Sequence, residues 1–299
     1  MNENMSMTAE VSAFVRAYHT AEGGEICNDP LAVKLLGVGR FGQIAAQMTA
    51  GREWFLPGDT GTQEEALRRI VNQKLGPAVL ARAAWWELRR ELTMGLKQVL
   101  LLGAGLESLP CRQTAEMERM SFYEVDTPAV LAEKEKRLRE VGITTPRNVY
   151  RVGVDLAEDW EKTLLEMTPF ATEQRTLTAL LGVVYYLPRA AMEALLKRLA
   201  AITSRGSSLL FDCPMRDFGT GEDAAGQQRA LAKSAGETME QGYTLPKLAL
   251  MLERHGFLIY EDMGPREITE RFYAGYNEGH PESPVLPLPG TALVLAARH

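Results

Sequence analysis

The chain has 299 residues, 45% of them hydrophobic and 24% charged, with 33 Lys and Arg against 39 Asp and Glu for a net charge of −6. That balance is typical of a globular protein with a sizeable core. It argues against a nucleic-acid or anionic-membrane surface, whose affinity comes from clustered cations; basic runs such as Lys134-Glu135-Lys136-Arg137 are broken by acids and read as solvated helix faces. Cys27, Cys111 and Cys213 stand far apart with no CxxC pair, so neither a disulfide framework nor a metal site is expected, and a reducing cytoplasm is the natural setting. The first ten residues are polar and lack the apolar segment of an export signal, and no apolar run approaches the length of a membrane span.

Residues 1–97 read as a helical cap integrated with the core formed by 98–299. Within it, 64–75 and 77–92 are rich in helix formers and are separated by Gly76-Pro77. From Gln98 to the end, strand-length apolar runs alternate with helix-period segments, the pattern of a parallel sheet wrapped by helices. Predicted strands cover 99–102, 121–125, 149–154, 176–184, 208–212, 257–260 and 291–297. Between the fourth and fifth, Pro188 opens a crossover helix with Met192, Leu195, Leu196, Leu199 and Ile202 on one face. Leu245, Leu248 and Leu252 mark another, stopped by His255-Gly256. No helical pattern precedes the seventh strand, so it is expected to run antiparallel to its neighbour. Residues 215–226 and 265–289 give no element; long irregular loops are often functional.

Three strand ends carry the chemistry. Leu102-Gly103-Ala104-Gly105 places a GxG turn directly after the first strand, where backbone approaches a ligand with no Cβ in the way. A dinucleotide fingerprint asks for a third glycine at position 108, which is Ser108 here, so the turn suits a ligand without pyrophosphate. Asp126, 21 residues after Gly105, ends the second strand and can accept both protons of a ribose diol. Asp155 ends the third; its carboxylate can take an adenine amino proton while Leu156 donates its backbone N–H. Together they describe an adenosine with a short tail.

The stretches Leu102-Gly103-Ala104-Gly105-Leu106-Glu107-Ser108, Tyr123-Glu124-Val125-Asp126-Thr127-Pro128 and Gly153-Val154-Asp155-Leu156 resemble the leucine carboxyl methyltransferase family, including its polyketide O-methyltransferase branch. Asn28-Asp29-Pro30-Leu31-Ala32 resembles that family's N-terminal element, and Arg82 matches the arginine that binds the methionine carboxylate of S-adenosylmethionine. The resemblance spans residues 12 to the end. It implies a Rossmann-like class I methyltransferase: a seven-stranded, mostly parallel sheet with an antiparallel last strand and an N-terminal helical cap. It also implies S-adenosylmethionine as cofactor, with Gly103, Ala104 and Gly105 at the methionine moiety, Asp126 at the ribose, Asp155 and Leu156 at the adenine, and Arg82 at the carboxylate.

Two departures stand out. Leu181-Gly182 replaces a glutamate-glycine pair at the end of the fourth strand, and Leu109 replaces an arginine, while Glu107, Ser108 and Arg112 keep the character of their counterparts. The implied reaction is methyl transfer to a carboxyl or hydroxyl oxygen of a small, polyketide-like or organic acid; a protein C-terminal carboxylate is a second acceptor class by the same likeness. A hydroxyl acceptor would need a base, for which His19 is the candidate, while Tyr186 could orient the acceptor or simply pack. Competing readings are an NAD(P)-dependent oxidoreductase, which shares the turn and Asp126 but leaves Asp155 unexplained, and a non-catalytic S-adenosylmethionine-binding protein, motivated by Leu181 and Leu109.

Overall fold

A computed structural model describes residues 6–89, 96–221, 223–240 and 242–299. Seven strands form one sheet in the order β3-β2-β1-β4-β5-β7-β6: β1 Gln98–Leu102, β2 Ser121–Asp126, β3 Val149–Gly153, β4 Thr176–Leu180, β5 Ser208–Pro214, β6 Phe257–Met263 and β7 Thr291–Arg298. The first five are parallel, and β7 lies antiparallel between β5 and β6. The sheet reverses its order between β1 and β4, so the ends of β1, β2, β3 and β4 open onto the crevice where α/β sheets of this kind bind ligands.

Both faces of the sheet are covered, and period-2 alternation sorts side chains between two cores. Val99, Leu101, Leu210, Leu293 and Leu295 face one core; Leu100, Leu102, Leu209, Phe211, Val294 and Ala296 face the other. On the first side lie helices from before β1: α1 Met7–Ala21, α2 Ala32–Leu36, α3 Val38–Ala50, α4 Arg52–Phe55, α5 Gln63–Ile70 and α6 Gly76–Arg89. Helix α7, Pro128–Glu140, links β2 to β3. On the second side lie α8 Trp160–Met167, α9 Arg189–Ile202 and, after a further helix α10 at Ala224–Ser234, α11 Leu245–Arg254.

The sequence predicts a break at Gly76-Pro77, but the chain stays helical through it. A π-helical turn, Val71–Leu75, joins α5 to α6 and absorbs the irregularity that a proline imposes. The C-terminal end of the predicted helix 77–92 lies outside the described residues. The fourth strand stops at Leu180 instead of 184, because Gly182 takes a φ of +73° and 184–186 coil into a 3-10 turn. The two segments without a sequence signal reach into helices: α10, and the run from Pro265–Ile268 through the π turn Thr269–Tyr273 to Ala274–Gly279.

The helices before β1 are tied to the segment after the glycine turn through Asp29. Its side chain is fully buried and accepts from Arg16 Nε (2.9 Å) and Ser108 Oγ (2.6 Å), with Arg112 Nε at 3.2 Å. The backbone N–H groups of Leu31 and Ala32 complete its shell. Burial alone would raise the Asp29 pKa, but Arg16, Arg112 and Ser108 hold it below the ordinary carboxylate range. Removing one member of such a pair strands buried charge. Asp29→Ala is therefore expected to cost about 3–5 kcal/mol in urea unfolding; a loss of only a few tenths would show the network to be peripheral.

Candidate active site

The crevice at the strand ends deepens into a cavity of about 1190 Å³, larger than the roughly 300–1,000 Å³ of a pocket for one drug-sized ligand. At the strand ends its lining includes Gly103, Ala104, Gly105, Asp126, Thr127, Asp155, Gly182 and Arg82. The helical layer adds the apolar Met48, Trp54, Phe55, Leu75, Val79 and Leu231, with the polar Gln47, Gln228 and Glu237 among them.

The glycine turn is locked onto β2. The N–H groups of Gly103 and Ala104 both donate to the Val125 carbonyl, at 2.9 and 3.3 Å. Gly103 and Gly105 have φ of +74° and +44°, backbone that favours glycine, and a Cβ at 103 would collide with Val183. Asp126 then braces the turn: Oδ2 accepts the Gly105 N–H at 2.8 Å and Oδ1 the Thr127 N–H at 2.7 Å. Burial pushes its pKa above the ordinary value, against the lowering effect of those two N–H groups. A carboxylate fixed in this way presents its remaining lone pairs to the cavity.

Asp155 also lines the cavity, with Oδ1 accepting the Ala157 N–H at 2.9 Å. Leu156 does not line it; its side chain packs against the second core. Arg82, from α6, reaches across to the end of β4, where Nη1 contacts Asp212 Oδ2 at 3.1 Å and Nη2 donates to Ser12 Oγ at 2.7 Å. The structure thus gathers Arg82, the glycine turn, Asp126 and Asp155 around one cavity.

The family model for leucine carboxyl methyltransferase matches residues 9–200, nearly two thirds of the chain. The chain belongs to the leucine carboxyl methyltransferase family. It is 31% identical over 283 residues to a Bacillus subtilis (strain 168) protein named "Putative S-adenosyl-L-methionine-dependent methyltransferase", covering 90% of this chain and 91% of that one. The fold matches a solved DUF574 family protein from Streptomyces avermitilis MA-4680, with TM-score 0.54 at 14% identity over 96% of this chain and 97% of that one. A structure from Thermobifida fusca YX matches with TM-score 0.50 at 16% identity, over 99% and 96% of the two chains. This chain is an S-adenosylmethionine-dependent methyltransferase of the class I, Rossmann-like fold. No described helix is long and apolar enough to cross a membrane.

As a leucine carboxyl methyltransferase family member, the chain uses several motif residues as scaffold. Asp29 of the N-terminal motif, Ser108 and Arg112 form the buried charge network that joins the helical layer to the glycine turn. Leu109, where the family has an arginine, is 2% exposed and belongs to the apolar core beneath the sheet. The lost charge there lies away from the cavity lining.

Of the two catalytic candidates, Tyr186 lines the cavity and His19 does not. The histidine is 2% exposed, its Nε2 accepts the Ile26 N–H at 3.0 Å, and its ring lies 5.4 Å from that of Tyr276. In this structure the imidazole is a buried acceptor on α1. Burial pushes the Tyr186 pKa up to about 12, so near neutral pH it is a phenol that donates a hydrogen bond, not a phenolate.

Sequence reasoning missed Asp212, although an acid at a predicted strand end is the same signal that revealed Asp126 and Asp155. It also missed the cover contributed by residues 223–240. Gln227 Nε2 donates to the Trp54 carbonyl at 2.8 Å and Gln228 Nε2 to the Lys74 carbonyl at 2.6 Å. Glu237 accepts from Ser6 (2.7 Å) and Thr8 (2.6 Å) at the start of α1. Such clasps between sequence-distant segments leave no local pattern.

Burial, then the neighbouring His280, lowers the His19 pKa from 6.5 to about 4. Because the folded-state value is depressed, the neutral ring's contribution to stability is present above pH 6.5 and is lost as the pH falls toward 4. His19→Gln, whose amide oxygen can accept the Ile26 N–H, is expected to flatten the decline in melting temperature across that window. An unchanged slope would show that the histidine carries none of it. At the cavity, affinity for S-adenosylhomocysteine is expected to fall as acidification protonates Asp126. Asp126→Asn should bind about tenfold or more weakly and lose that dependence, as calorimetry would show.

Proposed function

We propose that this methyltransferase transfers a methyl group to a carboxyl oxygen of a small, largely apolar organic acid. The observation that carries the reading is one cavity that joins polar groups at the strand termini to apolar side chains from α3, α4, α6 and α10. The donor chemistry of those polar groups fits S-adenosylmethionine: Asp126 for the ribose diol, Asp155 for the adenine amino group, and the Arg82 guanidinium for the methionine carboxylate, which a planar fork of N–H donors suits. When bound, that molecule supplies an electrophilic methyl group on sulfur.

The protein's contribution is then placement and exclusion of water. Apolar walls from α3, α4, α6 and α10 hold the acceptor chain, and the cover formed by 223–240 shields the reacting end. Among the described residues that line the cavity none is a histidine, and Tyr185 and Tyr186 both have pKa values raised by burial. A hydroxyl acceptor would lack an evident base there, whereas a carboxylate is already ionised at neutral pH and needs none. Glu237, which lines the cavity beyond α10, is engaged by Ser6 and Thr8. A small-molecule acceptor fits a cavity walled by apolar side chains; a protein C-terminal carboxylate would have to enter past the cover formed by 223–240.

The test is transfer of a labelled methyl group to a panel of aliphatic and aromatic carboxylic acids and phenols. The expected product is a methyl ester, recognised because mild alkali releases its label as volatile methanol. Label that survives alkali would indicate an ether and a hydroxyl acceptor. Absence of transfer across the panel by protein that binds the cofactor would contradict the reading.

A further inference from the structure

We propose that Asp212 is the positioning residue for Arg82, and that it supplies from β5 the carboxylate that the end of β4 lacks. Position 181, where the family commonly has a glutamate, is Leu181, which packs against the apolar core. The next residue, Gly182, donates its backbone N–H to Asp212 Oδ1 at 2.6 Å, while Oδ2 of the same carboxylate holds Arg82 Nη1 at 3.1 Å. An acid thus stands beside the β4 terminus although the strand itself carries none.

The geometry is that of a clamp. The Asp212 side chain is fully buried, so its charge requires a partner, and the guanidinium is that partner. Gly182 has a φ of +73°, and a Cβ there would lie 2.9 Å from both Cζ and Nη1 of Arg82; the guanidinium rests against bare backbone. Ser12 of α1 takes Nη2 from another side at 2.7 Å. β4, β5 and α1 therefore fix one arginine before any ligand arrives, which reduces the ordering cost of binding. These bonds use two of the five N–H donors of a guanidinium. The Arg82–Asp212 pair is also neutral overall, which matches an amino-acid end carrying both an ammonium and a carboxylate better than a lone cation would.

This inference rests on the reading of Arg82 as the partner of the methionine carboxylate. The test compares two ligands by calorimetry: S-adenosylhomocysteine, and 5′-methylthioadenosine, which keeps the adenosine and thioether but has no amino-acid end. Wild type is expected to prefer the former, and Arg82→Ala to abolish the preference. If Arg82→Ala leaves it intact, the reading and the proposal both fall.

Given that result, Asp212→Asn is expected to weaken S-adenosylhomocysteine by about tenfold or more while methylthioadenosine stays within about twofold. An equal loss for both ligands would mean a structural role, and no loss for either would mean no role; each overturns the proposal while sparing the reading of Arg82. Ser12→Ala, a milder change at a half-buried position, covers the case in which Asp212→Asn does not fold. It is expected to show the same one-sided loss at smaller size, and equal effects on both ligands would count against the clamp.

Discussion

The cavity depends on a buried charge network centred on Asp29. Without it, α1 has no polar anchor to the segment that follows the glycine turn, for Arg16 both pairs with Asp29 and donates to the Leu106 carbonyl at 2.8 Å. Through that pair, one face of α1 is set against the turn, with Ala9 near Gly105 and Ser12 on Arg82. The helical layer is thus a wall of the site as well as a cover for the sheet. The network is stable because every charge in it is paired and hydrogen-bonded, the condition under which buried ions persist.

Around that anchor the molecule separates two tasks. Strand ends, rigid because the sheet is buried on both faces, fix Gly103, Gly105, Asp126 and Asp155 at the cavity. Helices and the segment 223–240 form the chamber beyond them, held by amide and hydroxyl clasps from Gln227, Gln228 and Glu237. On the proposed reading, acceptor choice would reside in side chains such as Met48, Trp54 and Leu231, and cofactor choice in Asp126, Asp155 and Arg82.

Much of this is legible in the sequence, for identifiable reasons. Leu100 to Leu102 with Gly103, and the acids ending β2 and β3, are local patterns, and so are the periodicities of the crossover helices. Their interpretation as a cofactor site requires only neighbouring strand ends. The features that are not legible depend on partners far apart in sequence. His19 reads as available because nothing near it shows that Ile26 and Tyr276 enclose it. Gly76-Pro77 reads as a break because a π turn leaves no composition signal. Asp212 is visible as a residue but not as a function, since its meaning comes from Arg82, 130 positions earlier. The motif at Asn28 to Ala32 carries family likeness, but only the fold shows that Asp29 works as an anchor.

A crystal structure with S-adenosylhomocysteine tests most directly whether the ends of β1, β2 and β3 together with Arg82 hold S-adenosylmethionine. The ribose hydroxyls are expected on the Asp126 carboxylate, the adenine beside Asp155, the amino-acid carboxylate on Arg82, and the sulfur facing the apolar chamber under α10. A ligand seated elsewhere, or one whose amino-acid end points away from Arg82, would contradict that assignment.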